Sequence, residues 1–430
     1  MTSPALSALT INELTARRDA ARQDHDALVR RGLSLDLTRG KPSARQLDLS
    51  EGLLGLPGGH LAADGTDCRN YGGLQGLPEI REIFSGPLQV PTAQLVAADN
   101  SSLSLMHDTV VHALLGTVPG ATRRWADESR IAFLCPVPGY DRHFALCERF
   151  GIELIPVPMD ADGPDMDVVE RLVAEDAQIK GIWCVPKYSN PSGVSYGDET
   201  ARRLAAMPAL APDFRIFWDN AYAVHHLTDT PVEIADILAL CAENGNPDRA
   251  LVFGSTSKIT FAGSGVSFFG ASPDNVAWLL GHTGKRTIGP DKINHLRHVE
   301  FLRDEAGLAE HMRRHRELLR PKFDAVETIL TKELGGTGLA TWSTPAGGYF
   351  VSLDVLEGCA RDVVMRAGEA GIALTPAGAT HPYGTDPRDS TIRIAPTYPD
   401  QAELEAAITG LAVCVRLVAT ERLLRQAGQA

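Results

Sequence analysis

The sequence predicts an α/β fold: a large domain around a mainly parallel sheet, with a smaller α+β domain beside it. Three observations carry this. Between about 95 and 270, apolar runs at 131–135, 153–157, 181–185, 214–218, 250–254 and 266–270 alternate with stretches long enough for helices. Past 340 the texture changes to shorter strands and one long terminal helix. Turn residues cluster just after the apolar runs, at the carboxyl ends of strands, where such sheets place their chemistry.

In chain order, residues 10–32 read as a charged amphipathic helix ending near Gly32. Leu35–Pro42 reads as a short strand breaking into a loop at Gly40 and Pro42. Residues 50–75 are rich in turn residues, and Pro78 opens a helix. After the alternating region, 292–332 reads as helical and highly charged. Gly347–Leu353 and Thr391–Ala395 read as strands, and 400–425 as an amphipathic helix. The resulting division is 1–50 as an N-terminal segment of the small domain, 51–310 as the large domain and 311–430 as the C-terminal small domain. No internal repeat or low-complexity tract is present.

Bulk properties narrow the function. The 430 residues are 44% hydrophobic and 22% charged, ordinary values for a soluble globular chain. A formal charge of −13 disfavours nucleic-acid binding. The start, Met1–Leu6, has neither a basic nor a continuous apolar leader region, and no apolar run reaches the ~18 residues of a membrane span. Seven scattered cysteines without a Cys-x-x-Cys fit reduced thiols, so a cytoplasmic protein is expected. No metal signature stands out. His311 and His315 have ligand spacing but lack the glutamate of His-Glu-x-x-His, and read as a solvated helix face. No Gly-x-Gly-x-x-Gly follows a strand.

Three strand ends, in order, carry Asn190, then Asp219 with Tyr222, then Lys258 in Ser255-Thr-Ser-Lys258. An amine for an aldehyde, a carboxylate for a ring nitrogen and partners for a phenolate oxygen are the groups that hold pyridoxal phosphate. Ser101 and Ser102, before an apolar helical run, and Ser255 and Ser257 suit a phosphate. Tyr140, in Pro138-Gly-Tyr140, can stack on a ring and assist catalysis beside Lys258 and Asp219. Arg393 offers a planar fork to a substrate carboxylate. Each residue alone has a plainer reading. Lys258 could be a surface lysine, Asp219 a helix cap, Asn190-Pro-Ser-Gly193 and Pro138-Gly-Tyr140 simple turns, Ser101 and Ser102 a cap, and Arg393 a solvated strand position. Their agreement in position outweighs these.

The set Tyr71, Ser101-Ser102, Tyr140, Asn190-Pro-Ser-Gly193, Asp219-x-x-Tyr222, Ser255-x-Ser-Lys258 and Arg393 resembles the fold-type I pyridoxal-phosphate aminotransferases of class I/II. Thr38-Arg-Gly-Lys-Pro-Ser43 and Ser257–Val266 resemble the bacterial subgroup Ic aspartate aminotransferases, also labelled the MocR-like aminotransferase family. The resemblance implies a seven-stranded large domain, a small domain built from both termini, and a homodimer with sites at the interface. It further implies that Tyr71 reaches the neighbouring subunit's phosphate and that Gly40 approaches the substrate carboxylate. Its implied activity is amino transfer between an L-amino acid, aspartate or glutamate, and a 2-oxo acid such as 2-oxoglutarate, with alanine or aromatic donors as alternatives. One departure is that Val266 stands where many class I enzymes carry a phosphate-binding arginine. A distal carboxylate needs a second cation, and Arg39, Lys41, Lys187, Lys285, Arg286 and Lys292 are the candidates. A lyase or decarboxylase on the same cofactor would use the same ring-binding residues. Ser255-x-x-Lys258 also spells an acyl-serine motif, but without its Ser-Asp-Asn and Lys-Thr-Gly partners. A non-catalytic ligand sensor is the remaining reading.

Overall fold

The computed structural model describes residues 10–428; positions 1–9, which include the Met1–Leu6 start, and 429–430 lie outside the described residues. Continuous apolar runs become strands buried on both faces, as parallel strands between helical layers must be. The strands are β1 (Leu35–Asp36), β2 (Leu95–Ala98), β3 (Ala132–Val137), β4 (Glu153–Asp160), β5 (Gly163–Pro164), β6 (Ile179–Cys184), β7 (Arg215–Asp219), β8 (Ala250–Ser255), β9 (Ser267–Gly270), β10 (Ala340–Trp342), β11 (Val351–Val355), β12 (Ile372–Ala373) and β13 (Thr391–Ile394). The main sheet has the order β2-β9-β8-β7-β6-β3-β4-β5. Pairing is parallel from β8 through β7, β6 and β3 to β4, and antiparallel where β9 and the two-residue β5 join. The sheet thus has the seven strands expected plus the short β5 on β4.

Alternation along these strands splits the core in two. Phe133, Trp183, Phe217, Phe253 and Phe269 form an aromatic row on one face, with ring centroids 4.7–5.7 Å apart. Leu134, Ile182, Ile216, Val252 and Phe268 face the other way.

A third core unites chain ends. Leu14, Leu28 and Leu37 pack with Leu353, Ile392, Leu404, Ile408 and Val415. The helix Ile11–Arg31 starts on a Thr10/Glu13 capping box and stops at Gly32, φ 62°. β1 pairs in parallel with β12, and β10-β11-β13 form an antiparallel sheet. The helix Gln401–Ala427 is not amphipathic, as 400–425 was expected to be. Its residues are buried almost continuously from Ala407 to Thr420, because the first helix and the long helix Glu305–Leu334 both pack on it. The expected helical stretch 292–332 is two helices, Lys292–Leu302 and Glu305–Leu334, broken at Arg303 (φ 69°) and restarted by the Asp304 cap. The second runs from one core to the other: Leu308 and Met312 belong to the sheet, Leu319 onward to the terminal core. Among the described residues no helix is long and apolar enough to cross a membrane.

Candidate active site

Loops at the carboxyl ends of β3, β6, β7 and β8 converge on two adjoining chambers. The inner one, about 140 Å³, is lined by Ser101, Ser102, Tyr140, Asn190, Asp219, Tyr222, Ser255, Ser257 and Lys258, among others. The outer one, about 490 Å³, shares Tyr140, Asn190, Tyr222 and Lys258 and adds Arg39, Gly40 and Arg393.

Lys258 sits in the turn after β8. Its carbonyl accepts from the Tyr349 hydroxyl and approaches His225 Nε2, both at 3.3 Å, so the backbone is held while the amine projects into the chambers. The amine lies 5.1 Å from the Tyr222 ring centroid. Burial lowers its pKa, and the Asp219 charge opposes that shift. Thr256, between the two chamber-facing serines, points the other way and accepts from the Val266 amide at 2.9 Å. Alternation along the motif thus separates ligand-facing from structural hydroxyls. Ser255 and Ser257 hydroxyls are 3.1 Å apart.

Asp219 ends β7, and its following segment is a turn rather than a helix, which removes the cap reading. One carboxylate oxygen accepts from His143 Nε2 at 3.0 Å; the other, Oδ1, is buried without a partner. Asn190 Oδ1 is likewise buried and unpartnered. Buried acceptors are rarely left so. Both belong to side chains lining the inner chamber. Burial first, then Asp219, pushes the Tyr140 hydroxyl up to about 12. Ser101 occupies the cap position of the helix Ser102–Leu115 but makes no side-chain cap bond, leaving the helix's first N–H groups for an anion. Val266 is fully buried, and Lys258 is the one cation among the described residues lining the inner chamber.

Arg393 on β13 is not a solvated strand residue. It is 7% exposed, donates to Asp141 at 2.7 Å and to Thr375 at 3.2 Å, and lies 5.1 Å over the Phe350 ring. Its Nε is buried without a partner. A Cβ on Gly40 would fall 2.3 Å from Phe350 Cζ, so only glycine lets this loop lie against the ring that carries Arg393.

The structure sorts the remaining candidates. Arg39 and Lys41 line the outer chamber, with Lys41 Nζ 3.7 Å over the Tyr398 ring. Lys187, Lys285, Arg286 and Lys292 line neither chamber of this chain. Lys292 instead donates to the Asn70 and Gly72 carbonyls at 2.7 Å, bracing the loop of Tyr71. Tyr71 is 81% exposed and lines neither chamber of its own chain. Sequence reasoning missed Asp141, Arg142 and His143; the one signal available was their place in the first turn after Tyr140. It also misread His311 and His315, which are buried. His311 bonds the Ile259 carbonyl at 2.7 Å, and His315 bridges His311 and Gln46 at 3.2 Å each. Gln46 in turn donates to the Tyr349 hydroxyl at 2.8 Å. The helix face turned out to be covered by the N-terminal segment.

Comparison with known proteins is consistent along the chain. Residues 7–427 match the family model described as aspartate amino-transferase. A protein of Mycolicibacterium smegmatis is 56% identical over 96% of this chain and 97% of its own. The aspartate aminotransferase of Corynebacterium glutamicum is 48% identical over 97% of this chain and 98% of its own. A crystal structure of an aspartate transaminase from that organism superposes with a TM-score of 0.96 at 48% identity, covering 98% of this chain and 100% of the other. The α-aminoadipate aminotransferase LysN of Thermus thermophilus, complexed with N-(5'-phosphopyridoxyl)-L-leucine, shares the fold at 20% identity and a TM-score of 0.72, covering 93% and 95%.

Proposed function

The chain belongs to the aspartate amino-transferase family, and from that premise we propose that it moves the amino group of L-aspartate or L-glutamate to a 2-oxo acid such as 2-oxoglutarate by a ping-pong route, with pyridoxal phosphate in the inner chamber. The observation that carries the cofactor is Asp219 Oδ1, a buried acceptor left without a partner, with the Asn190 amide and the Lys258 amine on the same chamber wall. Asp219 Oδ1 suits a protonated pyridine nitrogen, the Asn190 amide N–H a phenolate oxygen, and the Lys258 amine an aldehyde. When bound, the cofactor supplies an electron-accepting ring conjugated to the reacting carbon.

This chain's residues supply the rest. Ser101, Ser102, Ser255, Ser257 and the uncapped helix start hold the phosphate, in place of the arginine that Val266 displaces. Asp219 keeps a proton on the ring nitrogen, and His143 fixes the Asp219 carboxylate. Asn190 and Tyr222 take the phenolate oxygen, and Tyr140 covers a ring face. The Lys258 amine, lowered by burial, takes the proton from substrate Cα and returns it on the other side of the transfer. Arg393, with Nε free, orients the α-carboxylate. Arg39, Lys41 and Arg142 give the outer chamber a second cationic pole, which favours a dicarboxylic substrate over alanine or an aromatic one. Two chains associate, so that the exposed Tyr71 enters its neighbour's site. All seven cysteines are free and buried, which agrees with work in the cytoplasm.

The visible absorbance of purified protein tests this. Wild type takes up pyridoxal phosphate and colours, L-aspartate bleaches it, and 2-oxoglutarate restores it; Lys258→Ala neither couples covalently nor turns over. Bleaching by alanine or an aromatic amino acid but not by aspartate reassigns the substrate. Ammonia or carbon dioxide release independent of a 2-oxo acid makes it a lyase or decarboxylase. No cofactor uptake ends the reading. Sedimentation at micromolar concentration shows twice the 46.2 kDa chain mass, and a single-chain species removes the shared site.

A further inference from the structure

A third cavity, about 390 Å³, lies apart from both chambers and has no role in the chemistry above. Its wall holds Lys187, which is 6% exposed. Four lysines are buried among the described residues, and three are satisfied. Lys180 pairs with Asp213, Lys292 with two carbonyls and Lys322 with two carbonyls. Lys187 makes no hydrogen bond and no ion pair among the described residues; its Nζ lies 5.8 Å from the Tyr188 ring centroid. The Lys187 amine is not among the fully buried unpartnered atoms, so it opens to the cavity that the residue lines. Burial lowers its pKa, and Glu233, exposed at the rim, only partly offsets that. Asn220 also lines this wall. The two arginines on the wall are already engaged, Arg313 with Glu310 and Glu317, Arg316 with Asp229 and the Thr228 carbonyl. Val224, Ile234, Leu308 and Met312 make much of the remainder aliphatic.

We propose that this cavity is a binding site for a small organic carboxylate with an aliphatic body, its charge on Lys187 and its chain against Val224, Ile234, Leu308 and Met312. Glu233 and Glu305 also line the cavity, so a singly charged carboxylate on Lys187 suits its wall better than a doubly charged phosphate. The volume suits a small ligand. Lys187 lies three residues before Asn190, and Asn220 directly follows Asp219. The site therefore shares its backbone with two residues of the inner chamber, and occupancy bears on how Asn190 and Asp219 are held.

Hexanoate is the probe, titrated calorimetrically into holoenzyme carrying Arg393→Met so that the outer chamber does not compete. One equivalent binds per chain, 1-hexanol and hexylammonium do not displace it, and adding Lys187→Met weakens it at least tenfold. In wild-type holoenzyme, where no variant need fold, hexanoate shields Lys187 from acetic anhydride by at least fivefold in peptide mass spectrometry. Equal affinity with Lys187→Met, displacement by hexanol, or unshielded Lys187 at saturating hexanoate each overturns the assignment.

Discussion

Asp219 gives one oxygen to His143 and leaves the other bare. His143 is itself pinned, stacked on Trp183 with centroids 4.4 Å apart and rings 12° from parallel. A hydrogen bond to a charged group is worth about 1.5–3 kcal/mol. His143→Leu is therefore expected to lower kcat roughly tenfold with little change in the unfolding midpoint; steady-state kinetics beside thermal melts check this, and an unchanged kcat leaves His143 merely packed. Asp219 and Lys258 were legible because buried parallel strands read as unbroken apolar runs, and a polar residue closing such a run stands out. His143 was not, since nothing in the sequence says which side of a first helical turn meets a neighbouring strand. Lys187 shows the same limit from the other side. It lies three positions from Asn190, yet the loop after β6 turns it away from both chambers.

At the scale of elements, the outer chamber depends on β1 staying paired with β12, because Thr38–Lys41 follow β1 directly. Gly371 makes that pairing possible. Its φ is 75°, and a Cβ there would fall 1.9 Å from the Leu33 carbonyl oxygen. Left-handed strain and a clash with backbone act together, so Gly371→Ala is expected to cost at least about 1–3 kcal/mol and to raise KM for the amino acid. Chemical denaturation and kinetics check both, and a variant as stable as wild type would falsify the strain argument. The helix Gln401–Ala427 was legible as a helix but not as a buried one. Its small residues Ala407, Gly410 and Ala412 read as weakly polar on paper, whereas packed between two helices they allow close approach. His311 and His315 failed for the mirror reason: arginines beside them advertise solvent, while the rings turn inward to hold the Ile259 carbonyl and Gln46.

For the molecule as a whole, buried histidines set the acid limit. Burial lowers His298 to about 4 and His315 to about 3, from 6.5. The unfolded chain binds protons on these rings below pH 6.5 that the folded chain refuses. Stability is therefore undiminished above that pH and falls as pH drops toward 4, by about 1.4 kcal/mol per unit for each ring. Urea midpoints should fall between pH 7 and pH 5, and His315→Gln should flatten the slope; parallel curves for the two proteins would exclude His315 as a contributor.

The first helix and the last one lean on each other, and Arg22 meets Glu421 across 399 positions of chain. At about 5–20 residues per second, an emerging polypeptide makes its opening helix roughly 20–80 s before the partner exists. Nascent copies thus wait with Leu14 and Leu28 uncovered. A chain released before the helix Gln401–Ala427 is made keeps every strand of the main sheet but leaves the core shared by the two chain ends uncovered, a natural client for chaperones and proteases.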